Sequence, residues 1–166
     1  AVQSVFEEGT VTDVSVVDDV PAVAALPAGG YLVAWVTEFG GVQRQVWSQL
    51  VTAAGLPLGA PQQISLNDMG TPGGGSQDSN LAIVASPVEG GGAVVTWNIG
   101  DAGGRDIVAL RIDDVGAPVG LPWLANLDAG YDQSDASAIL RADGTLRVFW
   151  QEDITGLVPT IRSRQQ

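Results

Sequence analysis

The stretch GGYLVAWVTE, beginning at Gly29, returns as GGGAVVTWNI from Gly90 and as DGTLRVFWQE from Asp143. Each copy has small residues, a short β-type run, a tryptophan, then polar residues. Such repetition constrains a fold more than composition does, because every copy must bury the same face against a neighbour. Trp35, Trp97 and Trp150 anchor the alignment, at separations of 62 (97 − 35) and 53 (150 − 97). Eleven residues beyond each stand Val46, Val108 and Ile161, inside QVWSQLV, IVALRID and TIRSRQQ. The first two of these phrases run on into GLPLG at Gly55 and GAPVG at Gly116. Upstream of the tryptophans lie PAVAAL from Pro21, LAIVAS from Leu81 and ASAIL from Ala136.

No window sustains a 3.6-residue apolar period, whereas alternating runs recur between Gly, Pro and Asp clusters, so each unit reads as β-strands. Tyr31, Val33 and Trp35 share one face, matched by Ala93, Val95 and Trp97 and by Leu146, Val148 and Trp150. That face is expected to be buried, with the three tryptophans as structural core. In the next strand Val46, Val108 and Ile161 are expected to point together, leaving Gln49, Arg111 and Arg164 on the polar side. A fourth strand follows as PQQISL from Pro61 and LPWLANL from Leu121.

The fold class is therefore all-β: three four-stranded antiparallel units, like blades of a β-propeller, in a single repeat domain of residues 1–166. The units span about 18–70, 78–130 and 132–166. The third lacks a fourth strand, and the spare apolar run at 2–6 is expected to complete it, covering an exposed edge. Three blades fall below the usual minimum of about four. The ring then needs a second copy of the chain, giving a six-bladed homodimer, or another chain that supplies blades. The first residue is alanine, which fits a processed or excised chain.

Composition removes several function classes. The chain has no histidine, no cysteine and no lysine, so a Ser/His/Asp triad, thiolate chemistry and the commonest zinc ligands are absent. With 19 acidic residues and a net charge of −12, it should repel nucleic acid and anionic membranes. No apolar run reaches the length of a membrane span. No G-x-S-x-G elbow occurs.

The combined phrases VPAVAALPAGGYLVAW from Val20, SQLVTAAGLPLG from Ser48 and YDQSDASAILRADGTLRVFW from Tyr131 resemble a tandem repeat of large secreted bacterial proteins, the hemolysin-type or RTX-like adhesins. The resemblance covers about residues 18–166. It implies a secreted or cell-surface bacterial setting and an adhesive role. The calcium-binding nonapeptide of that family has only one near match, GGGSQD from Gly73, with Ser76 where glycine belongs.

Individual residues carry less. Trp47 and Trp123 are not required by the repeat; either could stack on a sugar ring or anchor an interface. Asp101 and Asp106 bracket the loop GDAGGRD, which could offer oxygens to Ca²⁺ or form a solvated turn. Asp128, Asp132 and Asp135 make a second acidic cluster beside Tyr131, with the turn reading favoured. The expected function is a non-catalytic secreted or surface binding module, recognising glycan through Trp47, Trp123 and Tyr131. The alternative is a structural scaffold or subunit of an extracellular assembly. A glycoside hydrolase-like propeller comes third, because paired carboxylates can cleave glycosides.

Overall fold

The computed structural model describes residues 16–39, 43–65, 80–101, 104–126, 131–153 and 158–166. They form eleven strands and, among the described residues, no α-helix. The first sheet contains β1 (Val16–Ala25), β2 (Tyr31–Phe39), β3 (Gln43–Val51) and β4 (Pro57–Gln63). The second contains β5 (Ala82–Ala85), β6 (Ala93–Asp101), β7 (Gly104–Ile112) and β8 (Pro118–Leu124). The third contains β9 (Asp132–Leu140), β10 (Leu146–Asp153) and β11 (Thr160–Gln165). Every pairing is antiparallel, and each sheet follows chain order from its first strand to its last. The sheets do not close into a ring among the described residues. The proposed strand at 2–6 lies outside them.

Two apolar layers join the three sheets. Leu32, Ala34, Val36 and Val46 of the first sheet meet Val95, Trp97, Val108 and Leu110 of the second. On the other side Val94, Ile107 and Ala109 of the second sheet meet Leu146, Val148 and Trp150 of the third. The middle sheet is thus covered on both faces, which explains why Ile107, Val108, Ala109 and Leu110 are buried consecutively. The first strands draw together, β5 lying against β1 on one side and β9 on the other. Trp35, Trp97 and Trp150 are 7%, 2% and 6% exposed. Trp97 and Trp150 each face the preceding sheet.

The register corrects the eleven-residue spacing. Trp35 stands opposite Trp47, Trp97 opposite Val108 and Trp150 opposite Arg162. The middle hairpin joins Asp101 to Gly104, one residue shorter than the hairpin joining Phe39 to Gln43. Because side chains alternate with period two, that single residue moves Val108 to the opposite face. The structural equivalents are Val46, Ile107 and Ile161, each opposite the residue that follows the tryptophan. Val46 and Val108 do enter one core, but from opposite sheets. Ile161, expected to be buried with them, is 73% exposed, because no described sheet follows the third. Gln49, expected on the polar side, is buried and donates its amide to the Gly59 carbonyl at 2.8 Å.

The first two sheets share two local devices. Gly59 and Gly120 adopt φ of +80° and +79°, each at a bulge where the third and fourth strands shift register before a proline. Beyond the fourth strand, Ser65 accepts a hydrogen bond from the Val46 N–H at 3.0 Å, and Asn126 accepts one from Ile107 at 2.8 Å. Equivalent side chains therefore fasten equivalent strand positions.

Candidate functional site

Where β5 and β9 begin, the chain gathers its densest polar group. The Arg105 guanidinium grips Asp132 with a two-pronged contact, Nε to Oδ1 at 2.7 Å and Nη2 to Oδ2 at 2.9 Å. The Arg105 backbone N–H adds a third bond at 3.1 Å. The next residue, Gln133, is fully buried. Its carbonyl accepts from the Asn98 amide at 2.7 Å, and its side-chain oxygen accepts from Asn126 at 3.2 Å. Asn126 also donates to Asp106 at 2.7 Å. β9 is thereby pinned to the middle sheet by charge and amides at one end, and by apolar packing beyond.

Immediately past this anchor the strand bulges. Asp135 and Ala136 together stand opposite Trp150, just as Val20 and Pro21 stand opposite Trp35. Asp135 takes φ +53°, the only left-handed conformation of a non-glycine among the described residues. Aspartate tolerates that region better than most residues, but the conformation still costs energy, and such strain gathers at functional sites. Its exposed carboxylate accepts from Asn80 at 2.6 Å through Oδ1 and from the Ser134 hydroxyl at 3.3 Å through Oδ2. Counted back from the turn, Asn80 stands five residues before Ala85 (85 − 80), as Asp135 stands five before Leu140 (140 − 135) one sheet later. An open carboxylate beside an amide can accept and donate to the paired hydroxyls of a sugar.

The acidic cluster read as a turn is therefore part of a strand: Asp132 and Asp135 both lie on β9, and Asp128 falls outside the described residues. The turn reading failed because aspartate is common in turns, while the Arg105 partner is 27 residues away. The signal that could have found Asp135 was the repeat itself, which aligns it with the residue before Pro21.

The other candidates are dispersed. Trp47 is half-buried opposite Trp35, on the face turned away from the second sheet. Trp123 is half-buried against the core between the second and third sheets, so it does not offer an open aromatic face. Both indole N–H groups are buried with no hydrogen-bond acceptor among the described residues. Two sheets separate the rings, and they make no common platform with Tyr131, which is exposed just before β9. Asp101 ends β6 opposite Gly104, and Asp106 lies within β7, bonded to Asn126. Among the described residues, no three acidic side chains converge on a point that could hold a metal ion.

Hydrogen bonding from the Arg105 side chain, aided by its charge, holds the Asp132 carboxyl below its ordinary 3.8 against the opposing effect of burial. A depressed folded-state value means that stability from this pair is fully present above 3.8 and is lost as pH falls through the folded value. The gain is modest because the Asp132 side chain is 43% exposed. Asp132→Asn is expected to lower the urea midpoint at neutral pH, and the gap from wild type should close as pH falls below about 4. A gap constant with pH would contradict the assignment.

Neither a protein-family model nor a curated protein matches the chain. Among solved structures, the fold is similar to the crystal structure of endo-arabinase from Bacteroides thetaiotaomicron VPI-5482, with a TM-score of 0.50 and 13% sequence identity. The match covers 94% of this chain and 59% of that one, so the chain spans little more than half the length of the enzyme. At this identity the likeness concerns the fold.

Proposed function

We propose that the chain supplies three blades of a propeller-like ring that engages carbohydrate at the end where β5 and β9 begin. Asp135 is the principal contact and Asn80 its partner. The observation that carries this reading is the exposed Asp135 carboxylate, held in a left-handed bulge and oriented by the equivalent residue of the neighbouring sheet. The drawing together of the first strands supports a ring, completed by a second copy or by another chain. A secreted or cell-surface setting suits this role, and Ca²⁺ is not needed for the contacts proposed.

Binding without catalysis is the primary reading. Glycoside hydrolysis is the second, favoured by the fold likeness to an endo-arabinase. Hydrolysis needs two carboxylates flanking the scissile bond. Asp132 is engaged by Arg105, so the partner of Asp135 would come from elsewhere in the completed ring.

Affinity electrophoresis through gels containing arabinan and other polysaccharides tests the proposal. At least one polymer should retard the wild-type chain, and Asp135→Asn, which keeps a residue tolerant of positive φ, should weaken retention about tenfold, the worth of a charge-assisted hydrogen bond. Release of reducing sugar from the retarding polymer would select the hydrolytic reading. Equal retention of wild type and Asp135→Asn, or no retention on any polymer, would sink the proposal.

A further inference from the structure

The opposite end of the first two sheets carries a cleft of about 290 Å³. Leu26, Leu50, Val51 and Leu58 form its apolar wall, the Gly90–Gly92 turn closes one side, and Asp114 supplies the one charged side chain among its described lining residues. Leu50 and Val51 are buried at its base, whereas Leu58 is 58% exposed at the rim. An apolar wall that stays in water beside a single carboxylate suits an amphipathic cation.

The repeat provides an internal comparison. By register Leu50, opposite Leu32, is equivalent to Arg111, opposite Val94. The turn closed by Ser86 and Gly92 is equivalent to the turn closed by Arg141 and Thr145. Between the second and third sheets, Arg111 reaches across and donates from Nη2 to the Gly144 carbonyl at 2.8 Å. Between the first and second sheets the same position holds a leucine, which cannot make that bond, and the cleft is open.

We propose that this cleft receives an arginine side chain of a partner polypeptide, with the guanidinium between Asp114 and the carbonyls of the Gly90–Gly92 turn. Its methylene stem lies along Leu50 and Val51, and an adjoining aliphatic residue covers Leu58. The partner's guanidinium thus takes the part that Arg111 plays one sheet later. Arginine is favoured over lysine because its planar fork can meet a carboxylate and a carbonyl together while its stem packs on apolar surface. Charge complementarity supports a cationic partner, since the chain carries a net charge of −12 and no lysine.

The test is a titration of ¹⁵N-labelled chain with capped Leu-Arg and Leu-Gln dipeptides, read by amide chemical shifts. Leu-Arg should move the amides of Thr52, Gly90, Gly92 and Asp114 saturably, and Leu-Gln should not. Asp114→Asn, in an exposed turn, should weaken Leu-Arg about three- to fivefold, the range of an exposed ion pair. Leu50→Arg, which installs the chain's own guanidinium, should abolish the shifts. Equal response to both dipeptides, no response at millimolar peptide, or an unchanged affinity in Asp114→Asn would overturn the proposal. Shifts of the same amides with rising protein concentration and no peptide would also overturn it, by making a second copy the occupant.

Discussion

Trp97→Ala is expected to cost about 3–5 kcal/mol, as large-to-small changes of buried aromatics do. Trp97 is 2% exposed and fills the layer between the first two sheets beside Val95, Val108 and Leu110. Each sheet meets the next chiefly through that face, so the cavity would loosen the attachment of the first sheet as well as the middle one. For a chain of this size the loss should lower the melting temperature by roughly 10 °C or more. Ile161→Ala is the control: Ile161 is 73% exposed, and its removal should stay within about 0.5 kcal/mol. Thermal unfolding of both variants checks where the core lies, because a sheet packed on the outer face of the third would make Ile161 a core residue with its own large penalty.

Arg162→Ala should cost about 3 kcal/mol although Arg162 is half in water. Its Nε donates to Glu152 Oε1 at 3.0 Å, and the Glu152 side chain is only 3% exposed. Removing the arginine leaves a buried carboxylate without this counter-charge, and an unpaired buried charge is penalised far more than a pair is rewarded. The reverse change, Glu152→Gln, should cost less, because the freed guanidinium can turn to solvent. Combining the two should recover much of the Arg162→Ala loss in a denaturant double-mutant cycle. If the two single variants cost the same and simply add, this asymmetry is wrong.

The architecture was legible because the repeat speaks through several residues at once. Tryptophans at one register, alternating apolar runs and the G-x-P-x-G turns agree on three antiparallel sheets, and no helical period competes. What escaped was whatever depends on a single residue of register. The shorter middle hairpin set Val108 against Val46 when Ile107 is the equivalent, and it aligned Arg111 with Gln49 when Arg111 replaces Leu50. That slip hid the difference between a bridged cleft and an open one. The candidate site was obscured differently. Only its alignment in the repeat, with the residue before Pro21, separates Asp135 from a turn aspartate; its left-handed bulge and its bond to Asn80, 55 positions away, arise only when two first strands meet. Trp47 and Trp123 were attractive as aromatic residues outside the repeat, but Trp123 packs against the core between the second and third sheets and Trp47 is half-buried on the outer face of the first.

The carbohydrate reading is tested most directly by titrating short arabino-oligosaccharides into the ¹⁵N-labelled chain, wild type and Asp135→Asn. The account predicts saturable shifts at Asn80, Ser134 and Asp135 in wild type, strongly weakened in the variant, while the Gly90–Gly92 turn at the other end stays still. Binding that leaves those three amides unmoved, or that survives unchanged in Asp135→Asn, would contradict it.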